Sequence, residues 1–207
     1  ESQEPKDLQV HPYAPPTRVT CTQDNVFITR DGGQSWRTLP SPAPQPGLKA
    51  VAVTSRPELV IFASHTIKGP FARTGSGSWR EIGGELGRSD PGSGPDEIAD
   101  IVVEARDDGP VVWAANSFLP RLYRYDFSKA NFSLAYSESL DFAAYDSLCP
   151  TPSGLLFVTD GEVRRLVPDR RAVSQAQAET RAVRDAAKAV PSQVLSLRVP
   201  GATRTGI

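Results

Sequence analysis

The sequence contains no methionine, only two cysteines and two histidines, and its formal net charge is −1. Its longest apolar runs have five residues, at Leu59–Ala63 and Val111–Ala115, whereas a membrane-spanning helix needs roughly 20. So few histidines and cysteines argue against a His-rich metal site or a structural zinc site. A net charge near zero argues against a dedicated nucleic-acid-binding protein, which is usually strongly basic. We therefore expect no membrane span, no metal or other cofactor, and no nucleic-acid partner.

The lack of methionine, with an acidic start and no basic or apolar leader, leads us to expect a processed chain. Such processing predicts a secreted or periplasmic location. The two cysteines, Cys21 and Cys149, leave two interpretations open: a pair of free thiols, or one disulfide of the kind that forms in an oxidising compartment.

The balanced net charge conceals an asymmetry along the chain. Residues 1–163 carry 14 basic and 21 acidic side chains, whereas residues 164–207 carry 9 basic and 3 acidic ones. One interpretation is a solvated surface, and the other is a docking surface for an acidic partner or an anionic membrane face. The candidate partner-binding residues are the arginines that begin this basic stretch: Arg164, Arg165, Arg170 and Arg171.

Glycine and proline are abundant, with 16 and 19 residues, and they separate many short strand-like segments. These segments form blocks of about four strands, from residue 18 to 39 (incomplete), 48 to 82, 98 to 136, and from 145 onwards. Trp36 and Trp79 lie 43 residues apart, and Phe132 follows 53 residues later. A repeat of this length predicts an all-β β-propeller with about four to five blades, each of four antiparallel strands.

The predicted domains are an extended N-terminal segment at 1–17, blades at 18–169, a helix at 170–190, and a returning strand and tail at 191–207. The helix is predicted from apolar residues at helical spacing, and it lies either on the propeller surface or against a partner. The strand pattern at 194–199 suggests that the end of the chain joins the incomplete first block in one blade, which would close the ring. The stripe on the helix consists of Val173, Ala176, Thr180, Val183, Ala187 and Val190.

The segment from Thr29 to Trp36 suits a tight turn between two strands. Its two glycines permit positive φ, and the Asp31 carboxylate can accept hydrogen bonds from turn amides. We expect the Trp36 ring to be buried against the sheet, so that its replacement by alanine would cost about 3–5 kcal/mol. The residues assigned to the turn are Thr29, Asp31, Gly33, Ser35 and Trp36.

This turn matches the Asp-box, or BNR repeat, and residues 72–79 look like a decayed copy that keeps the Ser-Trp pair. The chain resembles the β-propellers that carry this motif, which include sialidases, sortilin-like receptors, photosystem II assembly factors and exported bacterial propellers. In those families the turn lies on the outside of a blade, away from the functional face. The resemblance therefore implies that the turn residues support the fold and do not form a binding or catalytic site.

The function we expect is a non-catalytic binding or scaffold module that makes protein–protein contacts in an exported complex. The alternative is a sialidase-like glycoside hydrolase or a glycan-binding propeller. By resemblance, such an enzyme needs three arginines, a tyrosine nucleophile with a glutamate partner, and typically six blades. One cluster of arginines and tyrosines suggests such an active site: Arg121, Tyr123, Arg124 and Tyr125. Alternation along a single strand explains this cluster without catalysis, so we assign no catalytic residue.

Overall fold

The structure, a computed structural model, describes residues 4–83, 86, 97–117, 121–137, 147–151, 154–159, 162–168 and 192–197. All regular elements among these residues are β-strands, and they form four sheets of four strands. Each sheet is built from strands that follow one another along the chain, and all pairs of neighbouring strands are antiparallel. This topology is the blade pattern that the repeat predicts.

The first half of the chain supplies two sheets. Sheet 1 consists of β1 (Asp7–Val10), β2 (Arg18–Cys21), β3 (Val26–Thr29) and β4 (Arg37–Leu39). Sheet 2 consists of β5 (Leu48–Ser55), β6 (Leu59–His65), β7 (Gly69–Thr74) and β8 (Arg80–Glu81).

The second half supplies the other two sheets. Sheet 3 consists of β9 (Ile98–Glu104), β10 (Val111–Asn116), β11 (Arg121–Asp126) and β12 (Asn131–Ser137). Sheet 4 consists of β13 (Leu148–Thr151), β14 (Gly154–Thr159), β15 (Glu162–Pro168) and β16 (Ser192–Leu197).

Consecutive sheets pack face to face, and their first strands lie next to one another: β1 beside β5, β5 beside β9, and β9 beside β13. Sheets 2 and 3 are covered on both faces, which is why β6 and β10 are almost continuously apolar instead of alternating. Three separate cores fill the spaces between the sheets. The sheets therefore follow one another around a common axis.

The core between sheets 2 and 3 is the most aromatic of the three. Phe62 and Tyr125 meet edge to face at 4.9 Å between ring centroids, and Tyr125 meets Phe132 at 5.3 Å. Tyr123 is also buried in this core. The tyrosines of the suggestive Arg/Tyr cluster are thus packing residues, and their rings do not face an open site.

Two half-buried carboxylates connect the first strands of neighbouring sheets. Asp7 accepts a hydrogen bond from the Val51 amide at 2.9 Å, and Asp100 accepts one from the Leu148 amide at 2.8 Å. Burial raises the pKa of both carboxyl groups, and the negative charge of Asp7 raises the pKa of Asp100 further. These bonds fix one sheet against the next at the centre of the fold.

The ends of the chain differ from the sequence interpretation. Strand β1 belongs to sheet 1, which therefore extends into the segment expected to precede the blades. Strand β16 forms the outer strand of sheet 4 beside β15, so the expected sharing of one blade by the two chain ends is wrong. Cys21 is a buried free thiol and Cys149 an exposed one, and no disulfide joins them. The predicted helix at 170–190 lies outside the described residues.

Trp36 is not buried as the sequence suggested. Its side chain is 41% exposed, whereas the equivalent Trp79 packs against the core between sheets 1 and 2. The Trp79 indole also donates a hydrogen bond to the Pro40 carbonyl at the end of sheet 1, at 2.5 Å. The difference arises because Trp79 faces the preceding sheet, while no sheet among the described residues packs on the equivalent face of sheet 1.

This difference predicts unequal effects of two alanine substitutions. Trp79→Ala should lower the free energy of unfolding by about 2–4 kcal/mol, because it removes a packed ring and a hydrogen bond. Trp36→Ala should lower it by about 1 kcal/mol or less, because the ring is already half in water. Urea denaturation of dilute protein measures both values. Equal losses for the two variants would contradict the packing described above.

The half-buried carboxylate of Asp100 predicts an unusual dependence of stability on pH. Because its pKa is raised above the ordinary value of 3.8, the stabilisation is fully present below that value and is lost as pH rises through the higher, folded pKa. Asp100→Asn keeps an acceptor for the Leu148 amide without the buried charge. Relative to wild type, this variant should gain stability between acidic and neutral pH in thermal melts, whereas the control Asp107→Asn, at an exposed turn, should follow wild type.

Candidate interaction surface

One end of the sheets carries loops that contact one another across the structure. The loops at 11–17, 56–58 and 105–110 leave from this end, because each connects the first and second strands of its sheet. We call this end the loop face. Gly109 at the tip of the third loop has φ of 119°, and a Cβ there would approach the Arg56 guanidinium to 3.2 Å. The second and third loops are therefore in close contact.

Tyr13 joins the first loop to the third. Its hydroxyl donates to the Arg106 carbonyl at 2.9 Å and accepts from the Arg106 amide at 3.0 Å. The ring of Tyr13 is nevertheless 49% exposed. A large aromatic side chain is thus held in one position by its polar end, while half of its surface faces solvent.

His11 shapes the loop that carries Tyr13. Its Nδ1 accepts hydrogen bonds from the Tyr13 amide at 3.1 Å and the Ala14 amide at 3.0 Å. The neutral ring must then carry its proton on Nε2, which donates to Ser55 Oγ at 2.9 Å. Burial lowers the pKa of His11, which favours this neutral form. His65 makes the same kind of turn with two amides and the Gln45 carbonyl.

Charged side chains around Tyr13 are also held in place. Glu104 is buried and accepts two hydrogen bonds from Arg106, at 2.8 and 2.7 Å, and one from the Trp113 indole at 2.8 Å. The guanidinium of Arg56 lies 5.5 Å from the centre of the Phe127 ring, in a cation–π arrangement. The loop face therefore presents an aromatic ring and two arginines in fixed positions.

The predicted turn at 29–36 is held by its own side chains. The Asp31 carboxylate accepts hydrogen bonds from Thr29 Oγ1 at 2.6 Å, from the Ser35 amide at 3.0 Å and from Ser35 Oγ at 2.5 Å. These bonds lower the pKa of Asp31 well below its usual range. Gly33 has φ of 101° and its amide donates to Thr29 Oγ1. The side-chain polar groups of Thr29, Asp31 and Ser35 are thus occupied within the turn itself, while the Gly32 amide donates to the Pro16 carbonyl of the 11–17 loop at 2.9 Å.

Trp36 borders an open pocket beside this turn. The pocket has a volume of about 320 Å³ and is lined by Ile28, Thr29, Arg30, Ser35, Trp36 and Arg37. The face of the indole that the sequence placed in the core is therefore available for contact.

Two of the four candidate arginines of the basic stretch, Arg164 and Arg165, lie in the part of the chain that the structure describes. Arg164 lies opposite Phe157 in the sheet and Arg165 opposite Leu156, so the two side chains project from opposite faces of β15. Both are half-buried. Arg170 and Arg171 lie outside the described residues. Within the described residues, no cluster of three side chains suits a metal ion, and no helix is long and apolar enough to cross a bilayer.

Sequence reasoning did not identify the residues of the loop face. Tyr13 was assigned to an extended segment, and the two histidines served only to argue against a metal site. Residues 106–110, Arg-Asp-Asp-Gly-Pro, have the composition of a turn, but nothing in their sequence signals a contact with a side chain 93 positions away. The hydrogen bonds of the 29–36 turn were foreseeable, because they involve residues at most four positions apart.

No protein-family model and no curated protein matches the chain. Solved structures do match it. The β-propeller domain of Cps50 (Swd1) from Myceliophteria thermophila superposes with a TM-score of 0.62 at 14% identity, over 83% of this chain and 54% of that one. The chain has a β-propeller fold.

Two further propellers have similar scores. YCF48 bound to D1 peptide gives a TM-score of 0.55 at 20% identity, over 81% of this chain and 53% of that one. The extracellular domain of the one-component system BT4673 from B. thetaiotaomicron gives 0.57 at 13% identity, over 80% and 21%. The chain thus spans about half or less of each of these three structures.

The role of His11 predicts that the Tyr13 loop opens in mild acid. Because its pKa is lowered below the ordinary 6.5, its stabilising effect is present above that value and is lost as pH falls through the lower, folded pKa. A proton on Nδ1 would oppose the two amides that now donate to it. Hydrogen-exchange protection of the Tyr13 and Ala14 amides should fall across this range in wild type. Protection at Thr20, inside β2, should stay constant, and His11→Ala should show no such pH dependence.

Proposed function

We propose that this chain is a non-catalytic propeller module that binds a protein partner through the loop face. The observation that carries the proposal is the half-exposed Tyr13 ring, held by two hydrogen bonds to the Arg106 backbone. Tyrosine and arginine are enriched among the residues that dominate binding energy at protein interfaces. A ring that is already fixed loses little conformational entropy when a partner packs on it.

The chemistry of the loop face favours a partner segment with an apolar side chain next to an acidic one. The exposed half of the Tyr13 ring suits the apolar group. Arg56 is exposed and has its guanidinium over the Phe127 ring, which leaves the N–H groups free to meet a carboxylate. Arg106 is already paired with Glu104, so it supports Tyr13 more than it attracts a new charge.

The comparisons support a binding role by analogy of fold. YCF48 was solved bound to a peptide, and the BT4673 domain is extracellular. We propose that this chain likewise acts in an exported complex, in a secreted or periplasmic setting. We also propose that residues 29–36 are a true Asp-box, which is supported by the hydrogen bonds from Thr29 and Ser35 to Asp31.

The experiment uses the full chain, tagged and expressed in its native cell, as bait for quantitative mass spectrometry after cross-linking. A partner captured by wild type should decrease at least about tenfold with Tyr13→Ala, which corresponds to the loss of one dominant contact. Tyr13→Phe keeps the ring but loses its anchor, and it should give an intermediate loss. The matched control is Ile67→Ala, an exposed apolar side chain at the opposite end of the sheets.

Two results would overturn the proposal. One is equal capture of every partner by wild type and Tyr13→Ala. The other is hydrolysis of a fluorogenic sialoside by the purified chain at a useful rate, which would establish the glycosidase alternative instead.

A further inference from the structure

The face of sheet 1 that points away from sheet 2 is unusually apolar for a surface. We call it the outward face of sheet 1. Along each strand, the residues on this face alternate with the residues that face sheet 2. Leu8 is 54% exposed, Val10 48% and Trp36 41%. The side chains on this face include Leu8, Val10, Thr20, Phe27, Trp36 and Thr38, and one charged side chain, Arg18, which lies opposite Val10.

The equivalent faces of sheets 2 and 3 show what covers such a face within the chain. At the position equivalent to Trp36, sheet 2 has Trp79, which packs against sheet 1 and donates to the Pro40 carbonyl. In sheet 3 the equivalent residue is Phe132, which is 1% exposed and packs against Phe62 of sheet 2. In both cases the aromatic ring is covered by the preceding four-stranded sheet. The exposed ring of Trp36 therefore marks a surface that is built to receive another sheet.

Sheet 4, the last of the four consecutive sheets, carries a surface suited to pack on the outward face of sheet 1. In sheet 4, Leu148 and Phe157 face sheet 3, so their strand neighbours point the opposite way. This outward face of sheet 4 carries an exposed cysteine, and half-buried apolar side chains together with one arginine: Cys149, Leu156, Val158, Val163 and Arg165. It corresponds to the faces that sheets 1, 2 and 3 use to receive the next sheet.

The fold comparison indicates the size of a body that would complete a ring together with the four sheets. The four sheets span 54% of the Cps50 propeller domain and 53% of YCF48. A body of about the same size as this chain would thus complete such a ring. A second copy has this size and presents both of the required faces.

We propose that two copies of this chain associate by packing the outward face of sheet 4 of each copy on the outward face of sheet 1 of the other. A two-fold axis relates the two contacts, so the assembly closes at a dimer and leaves neither face open. The interface repeats the sheet-on-sheet packing present three times within the chain. It involves neither Tyr13 nor the loop face, so the proposal is independent of the proposed function.

The first test is analytical ultracentrifugation of the purified full chain, from low to several hundred micromolar. We expect a reversible monomer–dimer equilibrium without larger species. Trp36→Ala and Leu8→Asp should each raise the dimer dissociation constant at least about tenfold, because both remove apolar contact from the interface. Ile67→Asp is the matched control, since Ile67 is 62% exposed but lies in the turn between β6 and β7. Circular dichroism checks that each variant folds.

The second test uses the native Cys149 as a reporter of which faces meet. In Leu8→Cys, mild oxidation should give a disulfide-linked dimer that disappears when Cys149→Ser is added. The control Ile67→Cys should give no such dimer above the background of wild type. Tyr13→Ala should leave the dimer intact, which separates this proposal from the proposed function.

Three outcomes would overturn the proposal. The first is a monomer at every concentration. The second is association that is insensitive to Trp36→Ala and Leu8→Asp, which would place the contact elsewhere. The third is a disulfide between Leu8→Cys and Cys149 within one chain, which would mean that the chain closes on itself.

Discussion

The structure depends on the packing of each four-stranded sheet against the next one. A twisted sheet has two faces, and both must be covered if both are apolar. Sheets 2 and 3 satisfy this on both sides, with Phe62, Tyr125 and Phe132 forming an aromatic core between them. Two half-buried carboxylates hold neighbouring sheets in register, because Asp7 and Asp100 each accept a hydrogen bond from a backbone amide of the next sheet. Within the part of the chain that the structure describes, sheets 1 and 4 each have one such neighbour, and this determines where the exposed apolar surface lies.

The same arrangement of sheets explains how the proposed binding surface, the loop face, arises. Loops from different sheets emerge close together because the first strands lie side by side. Tyr13 uses this proximity to reach the Arg106 backbone, and His11 fixes the loop through two amides and Ser55. A rigid scaffold thereby holds a half-exposed aromatic ring in place, as the proposed binding role requires.

Much of the architecture was predictable from the sequence, because the relevant signals are local. Short strands, glycine-rich turns and a repeat of 43 residues between Trp36 and Trp79 indicate blades, and the described residues form four such sheets. The sequence pattern predicts a strand close to β16, but it does not predict the pairing of this strand with β15, because residues 169–191 separate the two in the sequence. The Tyr13–Arg106 contact was not predictable, because neither residue belongs to a periodic pattern and the contact depends on how three sheets are arranged.

The two tryptophans show most clearly which features the sequence determines and which features the tertiary structure determines. By itself, the sequence determined the turn at 29–36: Asp31, Ser35 and Thr29 are close enough along the chain to satisfy one another whatever surrounds them. It also determined that a serine–tryptophan pair comes just before the outer strands of sheets 1 and 2, at residues 35–36 and 78–79. Only the tertiary structure decided that Trp79 is packed and Trp36 is 41% exposed. The physical reason is that burial of a sheet face depends on the neighbouring sheet, and sheet 1 has no preceding sheet among the described residues.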